Sequence, residues 1–163
     1  MEIKIRRTEL KDKPWIKKLI ETQWGSDFIV TRGRKYYYDK LEGFIAETKG
    51  INRGLITFRV EDREIEIISL DSLLEKKGVG TELINKVIEF AVELKARRVW
   101  LITTNDNVDA IKFYQKRGFR IIRIHPGAID LSRKLKPSIP AVGNYGIPIR
   151  DEIELEMKLK NKS

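Results

Sequence analysis

Residues 64–104 read EIEIISLDSLLEKKGVGTELINKVIEFAVELKARRVWLITT, and the fold turns on how this stretch divides. Its first residues alternate apolar and polar as a strand does. After Gly78 and Gly80, apolar side chains at Leu83, Ile84, Val87, Ile88, Ala91 and Leu94 recur at three- and four-residue steps, the period of an amphipathic helix over about Gly80 to Lys95. Lys95, Arg97 and Arg98 stand at its end, where cations suit the helix dipole. RVWLITT, Arg98 to Thr104, is an apolar run without alternation, the mark of a strand covered on both faces. Strand, glycine pair, helix and buried strand make a βαβ unit, whose parallel strands need a crossover of this length.

Working outward, Glu2 to Arg6 alternates as a strand. Asp12 then caps a helix that has Pro14 in its first turn and Trp15, Ile16, Leu19 and Ile20 on one stripe. Residues 24–42 fit no clean period, contain Tyr36, Tyr37 and Tyr38, and read as helix and loop of mixed character. From Gly43 three strands follow, broken by turns at Lys49-Gly50 and Glu61-Asp62-Arg63. Beyond Thr104, Asn107 can cap a helix ending at Gly118, and Phe119 to His125 and Glu152 to Leu159 give two more strands. Between them Pro126 to Pro148 reads as an ordered loop shaped by turns. The expectation is one domain, residues 1–163, of α/β (α+β) class: a mixed sheet with helices on both faces.

Composition narrows the function classes. The chain has 163 residues, enough to bury a core without a staple, and no cysteine, so disulfides, thiolate zinc sites and a Cys nucleophile are excluded together. A single histidine offers no metal cluster, so no metal is expected. The opening MEIKIRRTELKD lacks a signal-peptide core and no apolar run reaches membrane-spanning length; no membrane association and a cytoplasmic location are expected. Lys plus Arg is 33 against 24 Asp plus Glu, a net charge of +9 that attracts anionic ligands. The basic residues are scattered without interleaved aromatics, which argues against nucleic acid as the partner.

In open α/β sheets ligands bind beyond the carboxyl ends of strands, where Gly78-Val79-Gly80 lies. A dinucleotide site requires a third glycine at Leu83 and an acidic residue after the next strand; a nucleoside-triphosphate loop requires Lys and Ser or Thr after Gly80, where Thr81-Glu82 stand. Both fail. What remains is a helix N-terminus with unpaired N–H groups, able to hold an anion, or a turn that needs glycine for its dihedrals.

NVDAIKFYQKRGF, Asn107 to Phe119, resembles the pattern NxxAxxFYxxxGF of the GNAT superfamily of acetyl-CoA-dependent N-acyltransferases, and EKKGVG resembles its coenzyme loop Q/RxxGxG/A, with Glu75 in the Q/R place. The resemblance covers Glu2 to about His125 in element order as well as motif. It implies a mostly antiparallel sheet of about six to seven strands, in which one parallel pair splays to admit the cofactor. It also implies acetyl-CoA as acyl donor and a primary amine, on a small molecule or a protein, as acceptor. A homodimer is compatible with it.

Carried onto this sequence, the resemblance implies that backbone N–H groups of Lys76, Lys77, Gly78, Val79, Gly80 and Thr81 bind the coenzyme pyrophosphate and that the strand edge at Leu70 pairs with the pantetheine arm. Asn107 either contacts that arm or caps its helix, and the two do not exclude each other. Tyr114 matches the tyrosine that protonates the departing thiolate; otherwise it is a core aromatic. Phe113 and Phe119 read as core. The attacking amine must lose a proton, and Glu64, Glu66 and Asp71 are the carboxylates on the strand before the loop, with Glu66 favoured by position; the alternative for such alternating carboxylates is a solvated face. His125 reads as structural. Residues 24–42 and 126–150 are where acceptor selection is expected. Glu75 cannot make the contact of Gln or Arg, so its side chain is expected to turn away while Lys76 or Lys77 supplies the charge. A non-catalytic acyl-CoA-binding module is the competing reading; it would keep the glycine loop and have no use for Tyr114.

Overall fold

A computed structural model describes residues 1–160. Its sheet has seven strands in the order β1-β4-β5-β6-β7-β9-β8, where β1 is Lys4–Arg7, β4 Glu42–Thr48, β5 Ile51–Glu61, β6 Glu64–Ser72, β7 Arg98–Thr104, β8 Arg120–His125 and β9 Glu152–Lys158. Only β6 and β7 run parallel; every other neighbouring pair is antiparallel. The crossover between them is α2, Val79–Glu93.

Alternation along the strands divides the core in two. Phe44, Ile56, Phe58, Ile65 and Val99 pack beneath α2 through Leu83, Ile84 and Val87, and α3 (Val108–Lys116) joins this side through Tyr114. On the opposite face Ile45, Leu55 and Ile68 meet Ile16, Leu19 and Ile20 of α1 (Lys13–Trp24). Asp12 does not cap α1 with its side chain; it accepts both guanidinium arms of Arg6 at 2.8 Å and the Glu9 N–H at 2.8 Å.

Two elements depart from the sequence reading. Residues 28–37 form a separate hairpin, β2 (Phe28–Thr31) with β3 (Arg34–Tyr37), lying over the α1 face through Ile29 and Tyr36, where helix and loop were expected. Its turn is Arg32-Gly33, both at positive φ (52° and 70°), the two-residue geometry that matches strand twist. Inside the stretch expected as loop, Ala128–Leu135 is a helix, α4, which buries Ile129 and lies against β2, with Leu131 beside the hairpin-turn Gly33.

One irregularity sets up the site. Between β5 and β6, Phe58 pairs with Ile67 and Thr57 with Ser69, so Ile68 is an extra residue in β6, a β-bulge. Pairing of β6 with β7 runs from Glu64↔Arg98 to Ile67↔Leu101 and stops at that bulge. Beyond it the two strands continue, to Ser72 and Thr104, without pairing to each other. The splayed parallel pair is therefore present, and its cause is local.

Candidate active site

The gap opens into a cavity of about 750 Å³. Its wall includes Gly78, Val79, Gly80 and Thr81 at the start of α2, Leu70 on β6, Ile102 and Thr103 on β7, and Asn107, Phe113 and Tyr114 from α3. Leu101, Val79 and Tyr114 belong to the core under α2, whereas Ile68 belongs to the core under α1, so the cavity reaches both faces of the sheet through the gap. Trp24, the last residue of α1, stands at the α1 side.

The two glycines of the loop serve different ends. Gly78 precedes α2 at φ 82°, a left-handed conformation that costs a side-chain-bearing residue about 1–2 kcal/mol. Gly80 is in ordinary helical geometry, but a Cβ there would lie 3.2 Å from Phe113 Cζ, so its bareness lets α3 approach the loop. No side chain caps α2, and its first backbone bond is Glu82 N–H to Gly78 O. The N–H groups of Val79, Gly80 and Thr81 are thus left without intrahelical acceptors at the positive end of the dipole.

Of the residues expected at the cofactor, Leu70, Lys76, Gly78, Val79, Gly80, Thr81 and Asn107 border this cavity, and Lys77 does not. Asn107 occupies the cap position of α3 without capping it; its Nδ2 donates to Thr103 Oγ1 at 3.1 Å. Glu75, expected to stand clear, borders the cavity as well.

Tyr114 is 5% exposed, set edge-on to Phe113 and Phe119 at 5.2 and 5.3 Å. Burial, and secondarily the charge of Asp71, push its hydroxyl well above the ordinary range, so it holds its proton. The three carboxylates of β6 have separate fates. Glu64 is tied to Arg98 at 2.8 Å and Arg97 at 3.2 Å at the sheet's far end. Glu66 does not border the cavity; it is buried under the hairpin, where its Oε1 accepts the Tyr36 hydroxyl at 3.2 Å and its Oε2 has no partner, and burial raises its pKa. Asp71 does not line the cavity either, but it stands past the bulge between the lining residues Leu70 and Ser72, accepts Nε1–H of the lining Trp24 at 3.3 Å, and is pushed by burial to about 6.

Within residues 24–42 only Trp24 touches the cavity, and nothing from 126–150 does. Tyr36 and Tyr38 pack against the α1 core and Tyr37 against Phe28. His125 bonds Glu154 at 3.1 Å, a structural contact. Arg117, which sequence reasoning passed over, borders the cavity with its guanidinium over the Phe113 ring. The signal was its spacing, four residues from Phe113 at a helix end, where side chains meet.

Residues 10–119 match the acetyltransferase (GNAT) family. The chain belongs to the GNAT family of acetyltransferases. It is 46% identical to the uncharacterized protein YdhI of Bacillus subtilis (strain 168) over 80% of this chain and 82% of that one. It is also 41% identical to YxbD of the same organism, covering 91% and 94% of the two chains. Among solved structures, a Bacillus subtilis acetyltransferase in complex with CoA superposes with a TM-score of 0.72 at 22% identity, over 98% of this chain and all of its own. The sheet order and parallel pair of this acetyltransferase are those of the family fold, and no helix among its described residues is long and apolar enough to cross a membrane.

Proposed function

We propose that this enzyme transfers the acetyl group of acetyl-CoA directly to a primary amine, with the thioester in the gap between β6 and β7. The observation that carries the reading is the cavity that crosses the sheet there, with Tyr114 on its α2 side and Asp71 beside it on the α1 side. Val79, Gly80 and Thr81 offer N–H groups to the pyrophosphate, and the unpaired edge of β6 at Leu70 runs alongside the pantetheine arm.

The amine enters from the α1 side, past Trp24. Its nitrogen attacks the thioester carbonyl and the C–S bond breaks. The nitrogen's surplus proton goes to Asp71, and the thiolate takes the proton of Tyr114, whose raised pKa holds that proton until charge develops on sulfur. The proton-acceptor role expected of Glu66 thus passes to Asp71, the β6 carboxylate nearest the gap, which burial leaves basic enough to take a proton near neutrality.

The test is an acetyl-CoA consumption assay on a panel of small-molecule amines, peptide N-termini and lysine peptides, beside calorimetric titration with acetyl-CoA. Turnover on at least one amine is expected. Tight binding with no turnover on any would favour the acyl-CoA-binding module.

A further inference from the structure

We propose that Arg117 is the cationic contact for the coenzyme pyrophosphate, supplied from α3 because the loop places Glu75 and two exposed lysines around its own glycines. This rests on acetyl-CoA being the ligand of the cavity.

The guanidinium of Arg117 is fixed from three sides. Its carbon stands 3.6 Å from the centre of the Phe113 ring, its Nη1 donates to Phe113 O at 2.8 Å, and its Nε and Nη2 donate to Thr81 Oγ1 at 2.9 and 2.7 Å. Thr81 is in the first turn of α2, and Phe113 is the ring against which Gly80 packs. The head group is thereby held at the mouth of the helix, beside the unpartnered N–H groups, on the cavity wall.

A guanidinium has five N–H donors, and these contacts use three, so two remain to reach an anion. No carboxylate pairs with Arg117 among the described residues. A fixed positive charge at the positive end of a helix dipole is a repulsive arrangement, and an anion seated between them converts it to an attractive one. Lys76 and Lys77 are exposed and would have to be immobilised on binding, whereas Arg117 is already ordered. Glu75 borders the same cavity with the wrong sign, beside the one loop cation that does so, the exposed Lys76, whereas Arg117 brings an ordered cation to the same wall.

The experiment measures affinity for CoA and dephospho-CoA, and kcat/KM with acetylpantetheine, which has no phosphate. Wild type is compared with Arg117→Gln, Arg117→Lys and the pair Lys76→Ala with Lys77→Ala. Arg117→Gln is expected to weaken CoA and dephospho-CoA alike by about ten- to a hundredfold, the loss of charge-assisted hydrogen bonds, and to leave acetylpantetheine turnover unchanged. Arg117→Lys should recover part of the loss, and the lysine pair should lose less than Arg117→Gln. Equal losses with acetylpantetheine would make Arg117 a structural support and overturn the inference, as would unchanged CoA binding. Loss confined to CoA, with dephospho-CoA unaffected, would overturn the assignment to the pyrophosphate. Wild type that binds no coenzyme would sink the reading beneath it; wild-type binding that ignores Arg117→Gln sinks this inference alone.

Discussion

Asp71→Asn should make the acetyltransferase more stable at pH 8 and nearly inactive. Burial lifts Asp71 from its ordinary value of 3.8 to about 6, and the groups that face it are few: Trp24 from α1 donates one hydrogen bond, Tyr114 lies across the gap, and no lysine, arginine or histidine offsets the burial. A carboxyl whose folded pKa is raised stabilises the fold when protonated, and that stability is lost as the pH rises from below 4 through 6. At about 1.4 kcal/mol per pKa unit, ionising Asp71 costs the native state on the order of 3 kcal/mol at pH 8 and nothing below pH 4. Asn keeps the acceptor oxygen for Trp24 and removes the charge.

Urea unfolding of wild type and Asp71→Asn at pH 4 and pH 8 reads this directly. The variant should gain about 2–3 kcal/mol on wild type between the two pH values. Turnover should fall about 10²- to 10⁴-fold, and the acidic limb of the wild-type kcat/KM profile near pH 6 should vanish. A stability difference that is the same at both pH values would refute the desolvation argument. An acidic limb that survives in the variant would refute the proton-acceptor role.

Tyr114→Phe should lower kcat by about 10²-fold or more while leaving the affinity for acetyl-CoA within about twofold, since the ring packing stays and only the acid is removed; stopped-flow turnover beside equilibrium titration checks it. Glu66→Gln should keep the limb near pH 6, because Glu66 stands in the paired part of β6 under the hairpin, bonded to Tyr36, whereas Asp71 bonds the cavity residue Trp24; a limb lost here and kept in Asp71→Asn would return the role to Glu66. Gly80→Ala forces a methyl group toward Phe113 at 3.2 Å and should destabilise by about 1–3 kcal/mol in thermal unfolding, with weaker acetyl-CoA binding in proportion to any shift of α3.

Much of the fold was legible because its central unit is built from long, clean periods. The stripe from Leu83 to Leu94 and the unalternating RVWLITT fixed the βαβ crossover, and the two turns at Lys49-Gly50 and Asp62-Arg63 fell where the hairpins are. The β2–β3 hairpin escaped because its strands are four residues each and its turn is spelled Arg-Gly, a weaker signal than Asn-Gly. Helix α4, eight residues behind Gly127, was hidden among glycines and prolines that shape the chain on either side of it. At the site, the loop and Tyr114 are local in sequence and could be read there. Arg117 and Asp71 are held by neighbours brought by other elements, Thr81 and Trp24, and no spacing along the chain records those meetings. Likewise Glu66 and Asp71 look alike on paper, and only the hairpin laid over one of them tells them apart.

The extra residue at Ile68 has a mechanical consequence. Because β6 and β7 share only the pairs from Glu64↔Arg98 to Ile67↔Leu101, backbone pairing joins β1-β4-β5-β6 to β7-β9-β8 along one short seam at the end remote from the gap. Across that seam the core under α2 is continuous, since Phe44, Phe58 and Ile65 on one side and Val99 and Leu155 on the other pack in one cluster. The closed end of the gap is therefore also held by charge, through Arg98, whose guanidinium reaches Glu64 on one side of the seam and Glu154 and Glu156 on the other.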